Sequence, residues 1–283
     1  MSAAARRWRS MLTTAALYAL AVPIALLFLF PYWWMCLGVF RSPRQVLADP
    51  LRLWPESFDF SAFAEIARVG GVDIWVYALN SLGITTAATV LGVCVTAMGA
   101  YALTRRPELP GFRWLRAGFL LTIMYPYMLL VIPVYIVVFK IGLLGSYAGI
   151  VLFLALGPIQ FFLFDRFFRT LPKEVIEAAT MDGATEAQIL FRVILPMAMP
   201  VLATVALITF LINWSQWFPI LVISRSPDTF TLPVALLTMN GELGASFRAI
   251  MALAFATTLP VALLFVFAQR RVMEGMAAGA VKG

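Results

Sequence analysis

Within five residues the chain sets two amides beside two indoles: Asn213, Trp214, Gln216 and Trp217. Amides donate and accept hydrogen bonds, and indole faces stack on ring faces. Together they suit a polyhydroxylated ring such as a sugar. They suit packing and hydrogen bonding between helices equally well, and both readings stand. Tyr125 and Tyr127 offer the same pairing of ring and hydroxyl. A second group is Glu177, Ala178, Ala179, Asp182 and Gly183. It combines fixed negative charge with residues that lack bulk, which suits the close approach of another protein surface.

Other chemistries are excluded by what the sequence lacks. It has no histidine, which removes His-based catalysis, His metal sites and His proton relays. Its lysines are Lys140, Lys173 and Lys282, and none completes a P-loop pattern. Cys36 and Cys94 both lie in long apolar runs and read as reduced thiols buried in lipid or protein rather than a disulfide or metal ligands.

These groups need elements to hold them. Of 283 residues, 62% are hydrophobic and 12% charged, and the mean hydropathy is +0.91. Soluble domains run nearer ~45–50% apolar and ~25% charged, so a soluble globular protein is excluded, as is disorder. Charge-free runs lie between Arg9 and Arg41, Asp73 and Arg105, Arg116 and Lys140, Lys140 and Asp165, Arg192 and Arg225, and Arg248 and Arg270. Each is long enough to cross ~30 Å of hydrocarbon as a helix. The expectation is an all-α membrane protein with six transmembrane helices. No Asp, Glu, Lys, Arg or His interrupts a run, so the spans offer neither an ion-coupling site nor a voltage sensor. Uphill transport would need a partner's energy. A passive channel or an assembly factor also fits these observations.

With both termini inside, the cytoplasmic segments hold 14 Lys and Arg and the outside segments 7, while the acids divide 7 and 7. The whole net charge of +7 then lies inside, the positive-inside bias, which gives N-in, C-in. The boundaries read 1–11 for the cytoplasmic N-terminus, 12–40 for the first span, 41–73 outside, 74–104 for the second span and 105–116 inside. They continue with 117–139 and 141–164 for the third and fourth spans, and 165–196 inside. The last are 197–224 for the fifth span, 225–248 outside, 249–269 for the sixth span and 270–283 for the cytoplasmic C-terminus. Met1–Arg9 reads as the charged head of an uncleaved signal anchor. Tyr32, Trp33 and Trp34 read as an aromatic belt at the outer end of the first span, with sugar stacking as the less favoured reading. The first outside segment is expected to hold a short helix around Ser61–Arg68.

Segment 165–196 is patterned as two short helices. Thr170 or Leu171 stands near a cap, Pro172 falls in the first turn and Glu174 suits the dipole. Val175, Ile176, Ala178, Ala179 and Met181 follow at helical spacing, and Gly183 is free to take the positive φ that ends the helix. A second helix is expected over Thr185–Arg192, with Thr185 as its cap, ending before Leu195-Pro196. The product is a knob that docks a cytoplasmic partner. A helix lying on lipid headgroups is the other reading.

Glu177-Ala178-Ala179, three residues, Gly183, nine residues, then Val193-Ile194-Leu195-Pro196 resembles the E-A-A-x3-G-x9-I-x-L-P motif of binding-protein-dependent ABC importers, with Val193 where the motif has Ile. Asn80-Ser81-Leu82, Ala100-Tyr101-Ala102-Leu103, Gly142-Leu143-Leu144, Phe167–Glu174 and Thr231-Leu232-Pro233-Val234 are similar to the carbohydrate-importer permeases, above all to the second permease subunit of maltose-type systems. The sequence departs from that pattern at Gly145-Ser146, where Asn-Thr is frequent. It departs again at Trp214-Ser215-Gln216-Trp217, where Trp-Asn-Glu-Phe is frequent.

The resemblance implies the type I ABC importer permease fold in a bacterial or archaeal cytoplasmic membrane. The implied partners are a second homologous permease subunit, an ATP-binding cassette ATPase dimer, an extracytoplasmic solute-binding protein and membrane lipid, with no nucleic acid. It implies that Glu177, Ala178, Ala179, Asp182, Gly183, Leu195 and Pro196 couple the spans to the ATPase. No catalytic residue is expected here, since ATP and Mg would be bound by the partner. Asn213, Trp214, Gln216, Trp217 and Tyr125 become candidates for the pathway of a sugar or oligosaccharide. Segment 225–248 would reach into the binding protein or serve as a plain connector. A glycerol-phosphodiester or other polyol is an alternative cargo, disfavoured by the lack of intramembrane arginine. A non-transport membrane scaffold is the other alternative.

Overall fold

The computed structural model describes residues 3–50, 52, 54–155, 157–241 and 246–280. In chain order the helices are α1 (Ala3–Gly38), α2 (Pro43–Ala48) and α3 (Ser61–Glu65), followed by strands β1 (Arg68–Val69) and β2 (Val72–Asp73). Then come α4 (Ile74–Arg105), α5 (Phe112–Met124), α6 (Tyr127–Lys140), α7 (Tyr147–Ala155), α8 (Pro158–Phe168), α9 (Lys173–Met181) and α10 (Glu186–Gln188). A π-helical segment (Ile189–Ile194) leads into α11 (Leu195–Trp214), followed by α12 (Phe218–Ile223), a 3-10 turn (Pro227–Thr229), α13 (Leu232–Gly241) and α14 (Phe247–Ala280).

All six charge-free runs are helical over most of their length. Four contain a helix long and apolar enough to cross a bilayer unbroken: Met11–Gly38, Ile74–Arg105, Glu186–Trp214 and Phe247–Ala268. The fourth run is a bent pair, α7 and α8, meeting at 44°. The third run, expected as one helix over 117–139, is two. Tyr125 is extended (ψ 135) because the ring of Pro126 disfavours helical geometry in the residue before it. The bend in the fourth run has the same kind of cause: Gly157 is extended and Pro158 opens α8.

The helix ends differ from the ends of the charge-free runs. Helix α1 already starts at Ala3 and α14 runs on to Ala280, past the expected spans, since Ala and Arg are good helix formers. Residues 281–283 of the expected tail lie outside the described residues. The fourth span starts at Tyr147 rather than 141, because Gly142 (φ 74) and Gly145 (φ 81) hold a left-handed turn after α6. The fifth helix ends at Trp214 rather than 224. The short outside helix stops at Glu65, and a two-residue ribbon turned by Gly70 and Gly71, both at positive φ, follows it. Much of segment 225–248 is helix α13, with 242–245 outside the described residues.

The chain divides into two compact units. One comprises Met1–Arg68 and Met239–Ala256. In it Leu26, Leu27 and Phe28 of α1 are exposed, as on a helix solvated by hydrocarbon. The Arg41 side chain is buried and donates to the carbonyls of Arg52 and Gln45, each at 3.1 Å, and to that of Asp49. One guanidinium thus gathers the turn that follows α1. Asp59 accepts from the Ser61 backbone and hydroxyl, each at 2.9 Å, and from Arg248 Nη1 at 2.6 Å.

Those bonds, the Ser61 amide first, hold the Asp59 carboxyl down at about 2. A depressed carboxyl contributes above its unfolded value and loses that contribution as pH falls through its folded value. Limited proteolysis of segment 41–73 is therefore expected to stay constant from neutral pH to about pH 4 and to accelerate only between about pH 4 and about pH 2. The Asp59→Asn chain should be cut faster already at neutral pH. Acceleration of the parent chain near pH 6 would contradict the tie.

The other unit comprises Val69–Thr238 and Thr257–Gly283, and α4 is its axis. Ala88, Gly92, Thr96 and Ala100 recur every fourth residue and form one buried face of α4. Small residues let neighbouring backbones approach where the hydrophobic effect between helices is absent. Around α4, one core joins Ala97 and Ala100 to Phe161, Phe164, Ile194 and Ala198. A second joins Ile84 and Ala88 to Val131, Ile150, Ile220 and Val234. Near the start of α4, Asn80 Nδ2 donates to the carbonyls of Asp228 (2.7 Å) and Phe230 (2.9 Å), and Ser81 Oγ accepts from Leu232 N (2.8 Å). The Asn80-Ser81 pair thereby pins the segment before α13.

Asp165 was expected to begin a cytoplasmic loop. It lies instead inside α8, 4% exposed, 2.7 Å from Arg116 Nη2 and 3.2 Å from Arg169 Nε. Two guanidinium groups compensate the buried charge, which is what makes its burial tolerable.

Candidate functional site

Two places gather the chemistry-bearing residues, both within the unit built on α4. The first is the knob after α8. Helix α9 begins with Pro172 as its N-cap, one position later than expected. Its end is a Schellman turn: Gly183 (φ 79) donates to Thr180 O, and Ala184 to Ala179 O, each at 3.0 Å. Ala179 and Ala184, the hydrophobic pair that accompanies such a turn, pack on the first core. Thr185 then caps the next helix in a capping box, its amide donating to Gln188 Oε1 at 2.9 Å and its hydroxyl accepting from Gln188 N at 3.3 Å.

The second knob helix does not end before Leu195-Pro196. It passes through the π segment into α11, so Glu186–Trp214 is one helix. Pro196 has no N–H for the carbonyl four residues back, and Leu195 N–H bonds Leu190 O, five back. Leu195 and Pro196 are thus the first turn of a span. Glu177, Ala178, Asp182 and Gly183 are exposed and Ala179 half-buried. Met181, read from sequence as one of the apolar face of α9, is 87% exposed beside them. Glu186 lies 3.4 Å from Arg105 Nη2 and 3.3 Å from Arg106 Nη2, tying the knob to the end of α4.

The second place is a cavity of about 310 Å3 between α5, α6, α8 and α11. Tyr125, Asn213 and Gln216 line it, as sequence suggested, and so does Tyr127. Trp214 and Trp217 do not. Helical phase explains the first: Asn213 shares a face with Thr209, four residues back, while Trp214 is turned away by ~100°; Gln216 and Trp217 lie past the end of α11. Trp214 stacks on Phe210 at 5.9 Å and donates to Thr257 O at 3.2 Å. Trp217 meets Phe218 edge-on at 5.5 Å.

Two lining residues were missed, Gln160 and Thr209. With its amide nitrogen turned inward, Gln160 donates to Gly92 O, Ala155 O and Thr96 Oγ1 and accepts from Thr209 Oγ1, each at 3.3 Å. The signal was present, since Thr209, Asn213 and Gln216 fall four and three apart in an apolar run. Asn213 is 5% exposed, and its Nδ2 has no partner among the described residues. No Asp, Glu, Lys or Arg lines the cavity among the described residues.

The fold is a known one. The structure matches a solved chain of a bacterial ABC transporter involved in the import of the acidic polysaccharide alginate, with a TM-score of 0.77 over 95% of this chain and 98% of that one. At 24% identity the likeness speaks for the fold alone. Residues 88–272 match the family described as the binding-protein-dependent transport system inner membrane component, and the chain belongs to that family. It is therefore a permease chain that crosses the cytoplasmic membrane several times. It is 31% identical to the diacetylchitobiose uptake system permease protein DasC of Streptomyces coelicolor, over 93% of this chain and 95% of that one. It is 34% identical to the trehalose transport system permease protein SugB of Mycobacterium tuberculosis, over 95% and 97%.

Proposed function

We propose that this chain is a membrane subunit of an ABC importer for a neutral sugar or short oligosaccharide. Both termini face the cytoplasm, and a solute-binding protein delivers the cargo from outside. A second permease subunit completes the membrane part. ATP and Mg are held by an ATPase dimer, and this chain contributes no catalytic group. The knob from Glu177 to Pro196 receives the ATPase movement, its exposed face being Glu177, Ala178, Met181, Asp182 and Gly183.

The observation that carries the sugar reading is the end-to-end likeness to two permeases named for diacetylchitobiose and trehalose. The uncharged cavity agrees with it, since an anionic cargo calls for a cation that the lining does not supply. A phosphodiester cargo and a non-transport scaffold are both disfavoured.

The test is the complete importer in proteoliposomes, offered radiolabelled trehalose, diacetylchitobiose, maltose and glycerophosphocholine. ATP-dependent accumulation of at least one of the three sugars is expected. Accumulation of glycerophosphocholine alone, or of nothing, would overturn the reading.

A further inference from the structure

We infer that the cytoplasmic end of α5 carries a site for an anionic phospholipid of the inner leaflet, its phosphate held by Arg113 and Arg116 and an acyl chain laid in the groove beside them. The choice of leaflet rests on the N-in, C-in arrangement proposed above. The groove and its charge do not depend on the cargo.

The groove has a volume of about 370 Å3 and lies between the end of α4 and the first turns of α5. Leu103 lines it from α4, and Phe112, Ala117 and Leu120 line it from α5. Its polar members are Arg113 and Arg116, and no Asp or Glu lines it among the described residues. The two arginines are three apart on α5 and so share a face. Helix α4 is long and apolar enough to cross the bilayer, and it ends at Arg105. The groove therefore lies where hydrocarbon gives way to water. Trp114, beside Arg113, is 77% exposed, as suits an indole at headgroup level.

Charge favours an anion here. Segment 105–116 holds four arginines and one acid. Arg105 and Arg106 face Glu186, and the one acid, Glu108, lies 3.9 Å from Arg106. Arg113 has no acid partner among the described residues. Arg116 shares Asp165 with Arg169. At and behind the groove, three guanidinium groups thus meet one carboxylate, an excess of two positive charges. A helix start favours negative charge, yet the first turn of α5 has no acid.

Shape selects a lipid over a soluble anion. Guanidinium forks pair with phosphate oxygens. A free phosphate has no use for the apolar floor next to them, whereas a phospholipid joins phosphate and acyl chain in one molecule. Basic pockets between spans on the cytoplasmic side bind anionic headgroups in this way.

The test is native mass spectrometry of the complete importer after reconstitution in equimolar phosphatidylglycerol and phosphatidylcholine. The parent complex is expected to retain phosphatidylglycerol in preference. Arg113→Gln should lower the retained phosphatidylglycerol by about one per complex. Ala117→Phe, which fills the groove and keeps the charge, should do the same. Arg166→Gln removes the same charge from an exposed position on α8 outside the groove and should keep the parent count.

Equal retention by the parent, Arg113→Gln and Ala117→Phe complexes would overturn the site. Loss of the partner permease from the Arg113→Gln complex would assign this face to the subunit interface and overturn it too. So would inorganic phosphate at matched ionic strength, if it lowered the parent count to that of Arg113→Gln. Orientation is read separately with Glu108→Cys in a chain carrying Cys36→Ser and Cys94→Ser. Labelling by a membrane-impermeant maleimide from outside intact cells would sink the topology first and the inner-leaflet site with it.

Discussion

A chain with arginine in place of Gly183 is expected to reach the membrane at the parent level and yet to lose sugar uptake by about a hundredfold, a loss of ~2.7 kcal/mol in coupling. A Cβ at Gly183 would meet nothing within 4 Å in this chain, so the substitution leaves the chain's own packing alone. Its internal cost is the left-handed backbone (φ 79), about 1–2 kcal/mol for an L residue, confined to one exposed turn. Whatever else is lost must be lost to a partner that approaches the turn closely. Glu177→Lys, on the same exposed face, reverses a charge and should act in the same direction. Gly183→Ala supplies the control, bearing the backbone cost without the bulk, and should retain most uptake. The measurement is copurification of the ATPase with the tagged permease, together with uptake. Undiminished ATPase capture and uptake in both Gly183→Arg and Glu177→Lys would sink the docking assignment.

Gly92→Val should fail earlier, before any partner is met. A Cβ at Gly92 would collide with the carbonyl oxygen of Ala155 and would also lie 3.0 Å from the side-chain amide of Gln160. The first obstacle is backbone and cannot rotate aside. Overpacking of this kind costs roughly 1–3 kcal/mol, and more when backbone must move. In a cell that amount lowers the folded population several-fold. The expected result is a several-fold drop in membrane abundance and an earlier melting transition in detergent. Gly83→Ala and Gly99→Ala, also on α4, meet nothing within 4 Å and should leave both unchanged. If Gly92→Val accumulates and melts like the parent, α4 does not pack as described.

What could be read in the sequence depended on how local its cause was. The knob was legible because a proline, a left-handed glycine and a capping box all act within a few residues. The helical runs were legible because hydrocarbon excludes charge. Counting charges, however, is blind to breaks without charge. Pro126 and Pro158 stood in plain sight and mark two of the three. The pairing of Asp165 with Arg116 could not be read, since it joins residues 49 apart in the chain. The choice of Asn213 over Trp214 for the cavity required the phase of the helix, which composition within a five-residue window does not carry.

The helix from Glu186 to Trp214 is unbroken. Its first residue belongs to the knob, tied to Arg105 and Arg106, and Asn213 near its other end faces the cavity. At 1.5 Å per residue its 29 residues make a rod about 43 Å long. A tilt of ~10° about one end would carry the other through about 7 Å, more than the length of one helical turn. The two places thus lie on one continuous helix, and in the proposed importer a movement of the knob would reach the cavity along it, through the π segment at Ile189–Ile194.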